Sequence, residues 1–579
     1  MNIIEKEILL SIQAQSFTTQ RALSEYTGVS LGSVNQAVRS LTRKGLLQNM
    51  QLTAQAKDLL LHNKPKNAII LAAGYGLRMV PINAATPKAL LEVKGQTLIE
   101  RLILQLKEVG VEKIYIVVGY LKEHLEFLID DYNVEFIVNK EYATTNSLHS
   151  LALAKYLLGD SYIVPCDVWC AKNPFACTEL YSWFLLKNTC IKHSHYFVNR
   201  KMEVTKQIEN YGNAPLGICY LGKEYASQVQ QNIETLLAIP QSEEMQWEEA
   251  LFIKNKMLVA AKLISKEYAT EINTYEQLRE LDADSNQLKS DAMDIICKTF
   301  SCTVSDIMHI NVLKKGMTNR SFLFTVFGKK YIMRIPGEGT NHLINRKQEE
   351  AVYKIIADKN ICDTLCYINA DNGYKITAFL ENARVCDPYC EEDIIACMQR
   401  LKAFHQMGLK VEHRFDMFAQ LQHYEDLFAA KSIYRDYAKT KANILSLQDF
   451  IKNHKEEDTL CHIDSIADNF MFHQNQIYLI DWEYAGMQDP HVDIAMFCIY
   501  SMLNKQQIDH VIDIYFEQTC EPLLRKKIYA YIAVCSLLWS NWCEYKRTLG
   551  KEFGEYSLKQ YRYAKEFYQH FQNIGESHE

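Results

Sequence analysis

No run of apolar residues in this chain approaches the roughly 18 needed to span a bilayer; the longest, around Ala530 to Trp539, is far shorter, so no membrane partner is expected. The first ten residues, MNIIEKEILL, carry acids where a secretory leader carries a basic segment, and they hold no small-residue cleavage site. The expected location is the cytoplasm. Cysteine is missing before Cys166, and the 17 thiols from there onward are odd in number and scattered through apolar segments, the usage of buried thiols in a reducing compartment. Three CxxxC pairs occur (Cys166/Cys170, Cys362/Cys366, Cys386/Cys390) but no CxxC, so no structural zinc is expected. An excess of positive charge is lacking too: a net charge of -7 argues against coating nucleic acid with the whole surface. Neither an internal repeat nor a low-complexity tract is present.

What is present is an ordinary globular composition, 48% hydrophobic and 23% charged, spread over 579 residues. That is too long for one core at roughly 100 to 200 residues per domain. The patterning predicts a multidomain protein of α/β and α+β class in three segments: residues 1–62, 66–285 and 291–579.

Segment 1–62 reads as helices over Glu5–Gln13, Thr19–Tyr26 and Leu31–Lys44, with a turn at Gly28 and Ser30 as N-cap. The stretch TTQRALSEYTGVSLGSVNQAVRSLTRKGLL resembles the winged helix-turn-helix domains of bacterial regulators, with Val29, Val34, Val38 and Leu41 placed to pack the helix pair. Ser30, Ser33, Asn35 and Gln36 are candidates for base edges and Arg39 and Arg43 for phosphates. Six basic against four acidic residues give +2, a small footprint for DNA, and a scaffold or homodimerisation module is the alternative.

From Lys66 strands and helices alternate (AIILAAG, IYIVVG, VEFIVN, SYIVPCD), which predicts a Rossmann-like, mostly parallel sheet. The first strand runs into Leu71-Ala72-Ala73-Gly74-Tyr75-Gly76-Leu77-Arg78, followed by Thr86-Pro87-Lys88. Glycines at 74 and 76 let backbone N–H groups approach a triphosphate, while Arg78 and Lys88 are placed to neutralise charge developing on phosphorus and pyrophosphate. The combination resembles the sugar-phosphate nucleotidyltransferase superfamily, and Asn139-Lys140-Glu141-Tyr142-Ala143-Thr144-Thr145-Asn146-Ser147 narrows it to bacterial phosphocholine cytidylyltransferases. The resemblance implies CTP as nucleotide, Asn146 and Ser147 beside it, and Asp167 as a magnesium ligand at a strand end. It also points to an acid in Gln246-Trp247-Glu248-Glu249 as second ligand, with Glu249 the better match and Glu271 in reserve. Glu271-Ile272-Asn273 stands where the superfamily often has Glu-Ile-Asp, which weakens a metal role there. A trimethylammonium group needs aromatic faces with a nearby acid, and Tyr196, Tyr220 and Trp247 are the candidates for phosphocholine.

In segment 291–579, strands come first, and Gly316-Met317-Thr318-Asn319-Arg320-Ser321 is a turn placed to lie over ATP phosphates, with Thr318, Asn319 and Arg334 as binding candidates. In LCHIDSIADNFMFHQNQIYLIDWEYAG, Asp464 is followed five residues on by Asn469 and, past a hairpin, by Asp481. That is the set phosphoryl transfer needs: Asp464 to orient or deprotonate a hydroxyl, Asn469 and Asp481 to hold magnesium. The segment resembles the choline kinase and aminoglycoside phosphotransferase superfamily, implying a two-lobed protein-kinase-like fold. GMTNRSF, YIMRIPGEGTNHLINR and IDWEYAG are closest to bacterial choline kinases. The resemblance implies Glu349 as partner of Arg334, with Glu350 as the alternative, and Glu483 within IDWEYAG beside the substrate. Trp539 and Trp542 share a helix face and are candidates for two walls of an ammonium cage, to which Tyr556 and Tyr561 are candidates for a third. One departure is that Cys498, Ile499 and Tyr500 follow Asp493-Ile494-Ala495-Met496-Phe497, where the family tends to carry a glutamate.

The two resemblances converge on one sequence of reactions, ATP-dependent phosphorylation of choline and then cytidylyl transfer from CTP to phosphocholine, with Mg2+ at both sites. The alternatives are the same chemistry on ethanolamine or another amino alcohol, and a choline-responsive transcriptional regulator that uses the enzyme domains as sensors.

Overall fold

The computed structural model describes residues 1–574 apart from 75, 77, 78, 80, 83–85, 208–210, 314–318, 337–343 and 429–430, with the backbone alone for 319 and 320. It divides into two compact units, Met1–Asp294 and Ile295–Glu579.

The first unit opens with helices Ile3–Ala14, Gln20–Thr27 and Leu31–Arg43. Each start is satisfied by a side chain: Asn2 in a capping box with Glu5, Thr19 accepting from Ala22 N, Ser30 from Ser33 N. Gly28 (φ 69) turns the chain between the second and third helices. Val34, Val38 and Leu41 are buried against Ile8, Leu9 and Leu23. A two-stranded hairpin, Leu47–Gln48 with Gln51–Leu52, follows as the wing, and then helix Ala54–Leu61. The hairpin turn Asn49-Met50 has positive φ at both positions (51 and 63) without the glycine that marks such turns, so local sequence gives no warning of it. Lys44 is bound to Glu5 at 2.7 Å, which leaves Arg39 and Arg43 as the exposed cations of the third helix.

This small domain is packed onto its neighbour within the unit. Ile3 and Leu10 lie against the neighbour's core, Leu180 lies against the winged-helix core, and Gln13 Nε2 donates to Thr178 Oγ1 at 3.2 Å.

Among the described residues the remainder of the unit is built on a ten-stranded sheet. Strands Ser161–Pro165, Asn67–Ala72, Lys113–Val118 and Glu135–Val138 are mutually parallel, as the alternating pattern predicts. Beyond Ser161–Pro165 the sheet continues antiparallel through Tyr211–Leu221 to Trp183–Lys192, which pairs in parallel with Lys256–Ile264. Along Asn67–Ala72, Ala68, Ile70 and Ala72 enter one core and Ile69 and Leu71 the other. Both faces are covered, which is why AIILAA is apolar without alternation.

The second unit has a five-stranded antiparallel sheet in the order Met308–Val312, Asn319–Val326, Lys329–Pro336, Lys375–Ala378, Leu365–Ile368, with helix Arg346–Ile356 after the third strand in the chain. A helix, Asp291–Phe300, precedes these strands where the sequence reading expected strands at once. The rest is mostly helical, dominated by Pro522–Thr548 and Glu555–Asn573, with two small antiparallel sheets, and completes the two-lobed arrangement. Between strand Thr459–Cys461 and hairpin Phe470–His473/Gln476–Leu479 lies the Asp464 loop. Among the described residues no helix is long and apolar enough to cross a membrane.

Candidate active sites

In the first unit a cleft of about 760 Å3 opens at the carboxyl ends of the parallel strands. Ala72, Ala73, Gly74 and Gly76 line it from the loop after the first strand, and Pro165, Cys166 and Asp167 from the end of Ser161–Pro165. Gly76 is required twice over: its φ is 59, and a Cβ there would come within 3.1 Å of Lys88 Cβ. Lys88 Nζ bridges Asp167 Oδ2 (2.6 Å) and Asn273 Oδ1 (2.8 Å), while the second oxygen of Asp167 is buried and has no hydrogen-bond partner among the described residues. Asn273 reaches this point because Ala269–Glu271 pairs with Val168–Cys170 and Ile272 N donates to Asp167 O at 2.8 Å. Arg78 lies outside the described residues.

Opposite, Asn146 caps helix Ser147–Leu153 and donates to Glu244 O at 3.1 Å. Ser147 Oγ donates to Gln246 Oε1 (2.7 Å) and accepts from Trp247 N (3.0 Å), so this helix start holds the segment carrying Trp247 against the cleft. Tyr196 and Trp247 line the cleft as expected of aromatic faces.

Two expectations are corrected. Tyr220 is in the core, packed edge-on against Tyr162 (5.3 Å between ring centroids) on the face where Trp183 and Tyr162 are its register partners. Glu249 turns away to an ion pair with Lys206, and it is Glu248 that lines the cleft, one carboxylate oxygen buried with no hydrogen-bond partner among the described residues. Both lie in the 3-10 turn Trp247–Leu251, where successive side chains point about 120° apart, so one of two adjacent acids faces in and the other out. Burial, with Glu271 and Asp167 nearby, pushes Glu248 up to about 8. Glu271 lines the cleft as well.

In the second unit a cavity of about 680 Å3 holds Asp464, Asn469, Asp481, Glu483 and Arg334 together with Trp539, Trp542 and Tyr556. Arg334 forms a bidentate pair with Glu349 (Nη2 to Oε2, 2.8 Å), whereas Glu350 faces outward to Lys354 at 3.0 Å, which decides between the two acids. Burial alone would raise Glu349, but Lys375 and Arg334 hold it well below the usual carboxylate range. Glu483 joins this group at 3.4 Å from Arg346 and 3.8 Å from Arg334. Thr318 lies outside the described residues, and of Asn319 only the backbone, opening strand Asn319–Val326, is described.

The Asp464 loop is fixed from beneath. Asp493, buried in helix His491–Tyr500, accepts from the backbone N–H groups of His462 (2.9 Å) and Ile463 (2.7 Å), and its Oδ2 lies 2.9 Å from His405 Nε2. Asn469 Nδ2 donates to the Asp464 carbonyl (2.8 Å) and to its carboxylate (3.2 Å). Burial first, then the carboxylates of Asp481 and Glu483, push Asp464 up to about 8. Asp481 adopts a left-handed backbone (φ 67), an uncommon conformation for a residue with a side chain and one that clusters at functional sites.

Trp539 and Trp542 meet at 5.6 Å between centroids, and Tyr484 stands edge-on to Trp539 at 5.7 Å; Phe553, Tyr500 and Tyr556 add further aromatic walls. Tyr561 is corrected: it stacks on Tyr434 at 3.7 Å, bonds Asp436 and Thr440, and does not line the cavity.

Sequence reasoning set aside Asn273, read Tyr500 only as a departure from the family's acid, and missed Lys375 and Asp363. Asn273 and Tyr500 stood in or beside a recognisable motif; Lys375 and Asp363 did not. Lys375 and Asp363 line the cavity from the strand neighbouring Arg334 and from the segment before Leu365–Ile368, and that pairing is tertiary information.

The folds and sites define a two-catalyst transferase, a nucleotidyltransferase and a phosphotransferase carried on one chain with a winged helix. Comparison with known families agrees segment by segment: a winged helix-turn-helix DNA-binding model matches residues 1–48, a MobA-like NTP transferase domain 68–176, and a choline/ethanolamine kinase 310–522. Choline-phosphate cytidylyltransferase of Streptococcus pneumoniae is 36% identical over 178 residues, 28% of this chain and 77% of that protein. Protein LicA of Haemophilus influenzae is 27% identical over 258 residues, 42% of this chain and 95% of that protein. The crystal structure of choline kinase LicA from Streptococcus pneumoniae, 27% identical, covers 48% of this chain and 100% of its own with a TM-score of 0.43. Through its middle domain the chain belongs to the choline-phosphate cytidylyltransferases, and it carries that domain fused to a choline/ethanolamine kinase domain.

Proposed function

We propose that this chain activates choline in two steps, making phosphocholine with ATP and then CDP-choline and pyrophosphate with CTP. The observation that carries the reading is one cavity in which Asp464, Asp481 and Arg334 stand together with the Trp539–Trp542 pair, a phosphoryl-transfer set joined to a cationic-amine pocket.

In the first step Asp464 orients the choline hydroxyl and takes its proton as the oxygen bonds to the γ-phosphorus of ATP and the bond to ADP breaks. Its raised proton affinity suits it to that role. The aromatic walls hold the trimethylammonium group by cation–π attraction. Arg334, fixed by Glu349, faces the nucleotide phosphates. Asn469 and Asp481 are the residues to hold Mg2+, which supplies charge neutralisation on the phosphates when bound.

In the second step a phosphocholine oxygen attacks the α-phosphorus of CTP and pyrophosphate leaves. Lys88 stabilises the charge that develops, and Arg78 is assigned the same task from its place in the motif. The buried second oxygen of Asp167, which has no partner among the described residues, and the carboxamide oxygen of Asn273 are hard donors that fit Mg2+. Glu248, beside Tyr196 and Trp247, is the acid that balances the ammonium charge, a role the sequence left without an owner.

Two results are expected. In phosphorus NMR of the whole chain with choline, ATP, CTP and Mg2+, phosphocholine appears first and CDP-choline and pyrophosphate follow; reaction with ethanolamine alone would move the substrate to that amine, and silence with every alcohol would return the sensor-regulator reading. Because Glu248 must lose its proton to pair with the ammonium, KM for phosphocholine in the second step should fall as pH rises through about 8. Glu248→Gln should raise KM about tenfold and flatten that dependence. A KM equally pH-dependent in the variant would remove Glu248 from the role.

A further inference from the structure

At residues 498–500 the chain departs from the family pattern. Where the resemblance leads to an acid, helix His491–Tyr500 ends on Tyr500, whose ring lines the amine end of the cavity and stands edge-on to Tyr556 at 5.9 Å. Its hydroxyl leaves the cavity and donates to Asp468 Oδ2 at 2.8 Å. Asp468 is the middle residue of the 3-10 turn Ala467–Asn469, so the residue after it is Asn469, whose side chain bonds the Asp464 carbonyl and carboxylate. Asp493, earlier in the same helix, grips the loop at its other end through the backbone N–H groups of His462 and Ile463. The loop from His462 to Asn469 is thus tied to one helix at both ends, and the second tie is also a wall of the amine pocket.

We infer that Tyr500 is a positioning residue that couples the amine pocket to the catalytic loop: its ring closes the pocket and its hydroxyl, through Asp468, holds Asn469 and with it Asp464 in register. The inference rests on the kinase reading above. An amine seated against Tyr500 and Tyr556 restrains the ring, and a restrained ring holds the tie. A glutamate at this position would pair with the ammonium and be drawn toward it. The tyrosine attracts the ammonium through its face while its polar end stays committed to the loop.

The test uses the full chain and follows ADP formation against Mg2+ concentration in two arms, with choline and with no amine, where slow hydrolysis of ATP reports the loop alone. Tyr500→Phe keeps the ring and removes the tie. It should lower kcat about three- to tenfold in both arms, raise the Mg2+ requirement, and leave KM for choline within about twofold. Asp468→Ala should reproduce this, Asp468→Asn should restore part of it through its carbonyl oxygen, and the double variant Tyr500→Phe/Asp468→Ala should be no slower than either single one. A loss confined to the choline arm, or to KM, overturns the coupling, since a simple pocket wall acts only when amine is present. Multiplying losses in the double variant overturn it as well. If the wild-type chain gains nothing from choline, the substrate reading fails while the amine-free arm still decides the role of Tyr500.

Discussion

Replacing Asp464 by asparagine is expected to lower phosphocholine formation by at least about a thousandfold while cytidylyl transfer to supplied phosphocholine proceeds at the wild-type rate. The substitution keeps size and hydrogen-bonding capacity, and Asn469 can still donate to the Asp464 backbone carbonyl, so the loop retains its shape. What is lost is the carboxylate that accepts the hydroxyl proton. The two activities are read on one sample by phosphorus NMR, so cytidylyl transfer serves as the internal control for intact protein. A variant that still phosphorylates choline within about tenfold of wild type would remove Asp464 from proton transfer and leave positioning by Asn469, Asp481 and Arg334 to account for the rate.

Lys88→Ala is expected to do the reverse: a loss of about a hundred- to a thousandfold in CDP-choline formation with choline phosphorylation unchanged. Lys88 Nζ sits 2.6 Å from Asp167 and 2.8 Å from Asn273, so it is held at the point where charge develops between the glycine loop and the proposed metal ligands. Removing it also leaves Asp167, a largely buried acid, without its cation, which lowers the stability of the first unit. A thermal melt of the variant separates the two effects, and Lys88→Arg, which keeps the charge but changes its shape, should fall between wild type and alanine. Full transfer activity in a folded alanine variant would transfer the role to Arg78.

Much of both sites can be read from local text because the chemistry demands fixed residues at fixed short spacings. Asp464 and Asn469 must share one loop, and Gly74, Gly76 and Lys88 must follow one strand, so these residues lie close in sequence as well as in space. The Trp539–Trp542 pair is legible for the same reason, being one face of a helix. Where the spacing rule is looser the reading slips. Glu248 and Glu249 are adjacent acids, and only the phase of a single 3-10 turn, set by how Trp247 packs into the core, decides which one enters the cleft. Tyr220 sits in a strand buried on both faces, so alternation could not say which side it takes.

The sequence by itself determined the parallel strands Asn67–Ala72, Lys113–Val118, Glu135–Val138 and Ser161–Pro165 and the short-spaced motifs that carry Gly74, Gly76 and Lys88 and Asp464 and Asn469, because periodicity, capping and turn chemistry are local. Only the tertiary structure decided that Asn273 meets Lys88, that Lys375 joins Arg334 on Glu349, that Tyr500 ties the amine pocket to Asp468, and that the winged helix is packed onto the transferase through Leu180 and Thr178. Each of these joins residues separated by 26 to 185 positions in the chain, and such contacts are fixed by strand pairing and by which helix face the core accepts rather than by any residue's neighbours in sequence.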